Sequence, residues 1–181
     1  TLTKVRRKKT STAGNQQERL KTEGWITGYT DGEGCFTVSI VRNKRSKFDW
    51  QVFPEFVITQ GEKSLRSLEF LKDWFDCGNI FVNKRYDNHN ENLYRYCIRS
   101  IKDLAEKIIP FFDRNPLKTS KKKDFDKFRR VILMMYSQRH LRKSGLIKIA
   151  KLASEMNRRI LSKALRILRD YTSDPPAGGK I

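Results

Sequence analysis

Apolar and polar residues alternate along residues 35–42. Phe36, Val38 and Ile40 are interleaved with Cys35, Thr37, Ser39 and Val41, the period of a half-buried strand. A basic loop at 43–47 leads to a second expected strand at 49–59, carrying Val52, Phe56 and Ile58. Leu65, Leu68, Leu71 and Phe75 then recur at helical spacing and predict a helix over 64–75. A third strand starts at Gly78 and runs to Arg85, a polar loop containing His89 turns it, and 93–100 read as a fourth. Ile101, Leu104, Ala105, Ile108, Ile109 and Phe112 mark a further amphipathic helix.

Beyond Pro116, a helix carries Phe125, Phe128, Ile132 and Met135. A last helical region starts near 144, with Ile149, Leu152, Met156 and Ile160 on one stripe, and continues through Ile167 to Tyr171 with a break near Asn157. With a helix ahead of the first strand, the expected fold is α+β: an αββαββα core with a four-stranded antiparallel sheet, plus C-terminal helices. Residues 1–14 read as a flexible basic arm, 15–171 as a single domain and 172–181 as a disordered tail.

The helix ahead of the first strand has an unusual composition. Gly24, Gly28 and Gly32 recur every four residues and so share one helical face, each at a cost of about 1 kcal/mol relative to alanine. That cost implies close approach of another backbone, and the residues between are too polar for the partner to be a membrane helix. Glu33 falls at the negative end of the helix dipole, where a carboxylate calls for a compensating cation. It is a candidate metal ligand, and a plain helix-to-strand turn is the alternative for the same residues.

Charge narrows the partner. The chain has 39 Lys and Arg against 20 Asp and Glu in 181 residues, a formal net charge of +19, which implies a polyanion and nucleic acid first. No apolar run is long enough to span a bilayer and the N-terminal residues carry no signal-peptide core, so an intracellular, non-secreted protein without a membrane partner is expected. Cys35, Cys77 and Cys97 lie apart with no CxxC pair, which argues for reduced thiols rather than a zinc site.

Ile26-Thr27-Gly28-Tyr29-Thr30-Asp31-Gly32-Glu33-Gly34 resembles the LAGLIDADG motif of homing endonucleases, and the order of elements that follows resembles the family's single-motif core over residues 20–157. Pro116-Leu117-Lys118-Thr119 and Gly145-Leu146 also look like later segments of that family. The resemblance implies a homodimer packed through Gly24, Gly28 and Gly32, which brings two Glu33 carboxylates together. It further implies that Glu33 and the carbonyl of Gly32 bind Mg²⁺, with Mn²⁺ or Ca²⁺ able to take its place. The family more often has Asp at the Glu33 position, and Asp31 is expected as a structural cap rather than a ligand.

By the same resemblance Gln60 orients water, Lys118 or Lys121 serves as the catalytic lysine with the spacing favouring Lys121, and Arg66 or Lys63 supplies a basic group near the start of the second helix. Base reading is expected from the sheet face opposite the helices. Parity places Thr37, Ser39 and Asn43, then Gln51, then Asn83 and Arg85, then Arg95 and Arg99 on that face, together with Phe53, Glu55, Val57 and Cys97. Arginine suits guanine and Asn or Gln suits adenine in the major groove.

The resulting expectation is a divalent-metal-dependent endonuclease that makes double-strand breaks at a long pseudo-palindromic DNA site. Its host compartment would be an organelle (chloroplast or mitochondrion) or a prokaryotic cytoplasm. The alternatives are a maturase that partners intron RNA and a cleavage-inactive DNA-binding regulator of the same fold.

Overall fold

The period-2 stretch after the glycine-rich helix becomes strand β1, Gly34–Arg42, with Phe36, Val38 and Ile40 buried and Cys35 and Ser39 exposed. A computed structural model of the chain describes residues 12–83, 92–156 and 167. Helix α1 is Thr12–Glu33, so it begins inside the stretch expected as a basic arm. After β1 come β2 (Trp50–Gly61), a 3₁₀ turn at Glu62–Ser64, α2 (Leu65–Phe75), β3 (Asn79–Asn83) and β4 (Leu93–Ile98). Three helical pieces follow as one run: α3 (Ile101–Asp103), a π-helical turn (Leu104–Ile108) and α4 (Ile109–Arg114). The wide turn precedes Pro110, which has no amide hydrogen to give an ordinary helical turn. Helix α5 (Lys121–Tyr136), a 3₁₀ turn (Arg139–Leu141) and helix α6 (Lys143–Ser154) follow.

The sheet order is β1-β2-β4-β3, antiparallel throughout. One face carries Phe36, Ile40, Phe56, Ile58, Tyr96 and Ile98 into the core, where the helices cover it. Phe36 is the hub, with ring centroids 5.0–5.6 Å from those of Phe56, Phe112, Phe125 and Phe128. The α+β expectation holds, as does the four-stranded antiparallel sheet.

Two outward-parity residues depart from expectation. Val57 and Cys97 share the face opposite the helices, yet both are buried there; they are register partners, and the Cys97 thiol donates to the Glu55 carboxylate. Arg85, His89, residues 1–11, Ile160 and the expected tail lie outside the described residues, and of the stretch after Met156 only Ile167 is described, buried in the core. Among the described residues, no helix is long and apolar enough to cross a membrane.

Candidate active site and nucleic-acid interface

The turn from α1 into β1 is tight because Gly34 has no side chain. A Cβ there would stand 2.6 Å from the Thr30 methyl and 2.8 Å from the Thr30 carbonyl oxygen. Glu33 is left exposed at the carboxyl end of α1. The cation that the helix dipole calls for is present: Lys121 Nζ donates to the carbonyls of Thr30 at 2.9 Å and Gly32 at 3.2 Å. Burial pulls the Lys121 ammonium below the usual lysine range, while the nearby charges of Asp31 and Glu33 partly hold it up.

Asp31 is engaged by the chain that leads into α5. Its carboxylate accepts from the amides of Lys118 (2.6 Å) and Thr119 (3.3 Å) and from the Thr119 hydroxyl (2.7 Å). Burial pushes this carboxyl up, and those bonds more than offset the push, leaving it below the usual carboxylate range. Asp31 thus caps a later segment rather than its own helix. Its bonds to Lys118 run through backbone, and the rest of that residue is exposed.

Gln60 lies near the end of β2, two residues past Ile58, the register partner of Gly34. Arg66 is exposed in the first turn of α2. That turn is docked onto α1 by a 2.7 Å hydrogen bond between the Tyr29 hydroxyl and Ser67, and Ser67 donates in turn to the Ser64 carbonyl. Gly24, Gly28 and Gly32 are exposed, with no atom within 4 Å of where a Cβ would stand. Beside this open stripe, Trp25 stacks on Tyr29 and meets Phe70 edge-on, and Trp25 remains 44% exposed. The sequence reading missed that aromatic shoulder; the four-residue step from Trp25 to Tyr29 was its available signal.

Among the described residues no three His, Cys, Asp or Glu side chains gather as a metal cage. One chain offers the exposed Glu33 carboxylate and the Gly32 carbonyl, which also accepts from Lys121. Both are hard oxygen donors of the kind that Mg²⁺ and Ca²⁺ take, and a full shell needs oxygens from outside the chain.

On the outward sheet face, Ser39 is exposed, Thr37 and Gln51 are half-buried, and Gln51 accepts from Asn43 Nδ2 at 2.6 Å. Asn83 is exposed on β3. Arg95 and Arg99 reach toward each other and pair with Glu55. Beyond the hairpin end of the sheet, adjoining clefts are lined by Lys47, Arg130, Arg139, Arg142 and Lys148, with no carboxylate among their linings.

Comparison with known proteins agrees with this geometry. A family model described as LAGLIDADG endonuclease matches residues 26–132, more than half of the chain. Probable intron-encoded endonuclease 2 of Neurospora crassa is 32% identical over 134 residues, 74% of this chain and 28% of that protein. The chain likewise spans about a quarter of the next two such relatives. Homing endonuclease I-ApeII of Aeropyrum pernix is 29% identical over 165 residues, 85% of this chain and 95% of that protein. The crystal structure of the homing endonuclease I-TnaI superposes with a TM-score of 0.72 at 41% identity, covering 82% of this chain and 97% of that one. I-SmaMI bound to uncleaved DNA in the presence of calcium ions gives a TM-score of 0.73 at 30% identity, covering 88% of this chain and 53% of that one. The matched span includes the α1 motif, the whole sheet and the α5 lysine, and on that ground the chain belongs to the LAGLIDADG endonuclease family.

Proposed function

We propose that the chain is a site-specific, divalent-metal-dependent DNA endonuclease of the homing type that works as a homodimer. The observation that carries this reading is that the exposed Glu33 and the Lys121 ammonium, bonded to the Thr30 and Gly32 carbonyls, share the end of α1, next to an open glycine stripe. Two copies packed stripe to stripe about a two-fold axis bring two such ends together, and a two-fold protein calls for a pseudo-palindromic site. The match to about half of I-SmaMI supports a need for two such folds.

In this reading Glu33 and the Gly32 carbonyl hold Mg²⁺, with Mn²⁺ or Ca²⁺ as substitutes. Bound there, the ion would neutralise charge developing on the scissile phosphate and polarise the attacking water. Lys121, anchored on the Thr30 and Gly32 carbonyls, presents its remaining N–H to a phosphate oxygen. Gln60 orients water, Lys118 is a secondary cation, and Arg66 contacts phosphate from the start of α2.

The outward sheet face lies on double-stranded DNA. At about 3.4 Å per residue the eight steps of β1 from Gly34 to Arg42 span roughly 27 Å, on the order of eight base pairs per half-site. Thr37, Ser39, Asn43, Gln51, Asn83, Arg95 and Arg99 face its bases, and the carboxylate-free clefts around Arg139 and Arg142 draw in flanking phosphate.

The test uses plasmids carrying candidate intron-insertion sequences, with Mg²⁺ or with chelator. Metal-dependent double-strand breaks that fall at least about 100-fold in Glu33→Gln, with DNA binding retained, are the expected result. A wild type that binds these sequences and cuts none of them overturns the nuclease reading in favour of a DNA-binding regulator. Tight binding to folded intron RNA with faster splicing, and no cleavage of DNA, would establish a maturase instead.

A further inference from the structure

Glu55 stands in the middle of β2 on the outward face, and its side chain is only 12% exposed. Three donors from β4 and the residue just after it converge on Glu55. Oε1 accepts from Arg99 Nε at 2.5 Å and from the Cys97 thiol, while Oε2 accepts from Arg95 Nη2. Register explains the meeting: Phe56 pairs with Ile98 and Val57 with Cys97, which puts Glu55 level with Arg99 and within reach of the side chains at 95 and 97. Arg99 is also held from β3, lying 5.6 Å above the centroid of the Phe81 ring. Burial, then the bond to Glu55, pushes the Cys97 thiol up to about 12, so at neutral pH it stays a neutral donor.

A carboxylate weakens a surface meant for phosphates, so affinity does not explain one at the centre of this face. Orientation does. Glu55 takes Arg99 through Nε rather than through a terminal nitrogen, and the terminal pair of a guanidinium is the fork that matches guanine O6 and N7. Arg95 is taken through one terminal nitrogen, so both guanidinium groups are fixed side by side instead of sweeping across the surface.

We propose that Glu55 is a positioning and specificity-determining residue: it fixes Arg95 and Arg99 as guanine readers at one or two neighbouring base pairs, and its charge keeps both from settling on phosphates. The inference rests on the DNA-binding reading of the sheet given above. Removing the carboxylate should therefore do two opposite things, loosening base choice while tightening indiscriminate binding.

Binding-site selection from a randomised duplex pool, with the full chain, gives a direct test. Wild type selects G·C pairs at one or two neighbouring positions in each half-site. Glu55→Gln loses roughly ten-fold or more of the discrimination at those positions only, and its affinity for a non-cognate duplex rises. Glu55→Asp keeps the charge on a side chain too short to hold both arginines, so it loses the same preference without the rise; this arm decides alone if Glu55→Gln does not fold. Retention of the G·C preference in the folded variants overturns the inference. A wild type that binds the pool and enriches no sequence overturns the DNA-reading sheet itself, a separate and earlier failure.

Discussion

The Asp31 carboxylate accepts a hydrogen bond from the Thr119 hydroxyl at 2.7 Å, across 88 positions of sequence. With the amides of Lys118 and Thr119 it ties the last turn of α1 to the entry of α5, and so sets Lys121 over the carboxyl end of α1. Asp31→Ala removes all three bonds. Urea unfolding should show a loss of about 1–2 kcal/mol for these partly exposed, charge-assisted contacts, and cleavage should fall with DNA affinity little changed. A variant as stable and as active as wild type would show that α5 is positioned by its apolar face alone.

Gly28 predicts effects of opposite sign on the single chain and on the pair. Nothing lies within 4 Å of its missing Cβ, so Gly28→Ala should stabilise the isolated chain by up to about 1 kcal/mol through helix propensity. The same methyl stands where two α1 helices would touch, so the dimer dissociation constant from sedimentation should rise. Gly28→Leu should leave a folded monomer that does not cut. Should Gly28→Leu sediment as wild type does, α1 is not the contact between copies.

His140 gives a stability change with pH. Burial pushes its imidazole below the usual histidine range, partly opposed by the Met135 backbone, and the cavity it lines also carries Arg45, Lys47 and Arg99. Because the folded value is depressed, its contribution is fully present above the unfolded value near about 6.5 and is lost as pH falls through the folded value. The urea midpoint of wild type should therefore drop between pH 7 and pH 5 by more than that of His140→Gln. Equal pH dependence of the two proteins would rule this out.

Local pattern was a good guide wherever one element answers to one period. Phe36, Val38 and Ile40 point inward from β1 as alternation required, and Leu68, Leu71 and Phe75 are buried along α2 as the helical spacing required. The same parity put Val57 and Cys97 on the outward face without foretelling their burial, since alternation assigns a face but is silent on what else covers it. Pairing across distance was less legible. The register that sets Glu55 against Arg95 and Arg99 joins β2 to β4 over an intervening helix and strand, and no spacing along the chain encodes it.

The sequence by itself determined the elements, their order, the glycine face of α1, the exposed acid at its end and the strong positive charge, because each depends on neighbours within a few residues or on composition. Only the tertiary structure decided that Lys121 is the lysine whose ammonium meets the end of α1, that Asp31 holds α5 rather than capping its own helix, and that one half-buried carboxylate binds both sheet arginines. The physical reason is that hydrophobic period fixes which way a side chain points, whereas its partner is fixed by how distant segments close around a shared core.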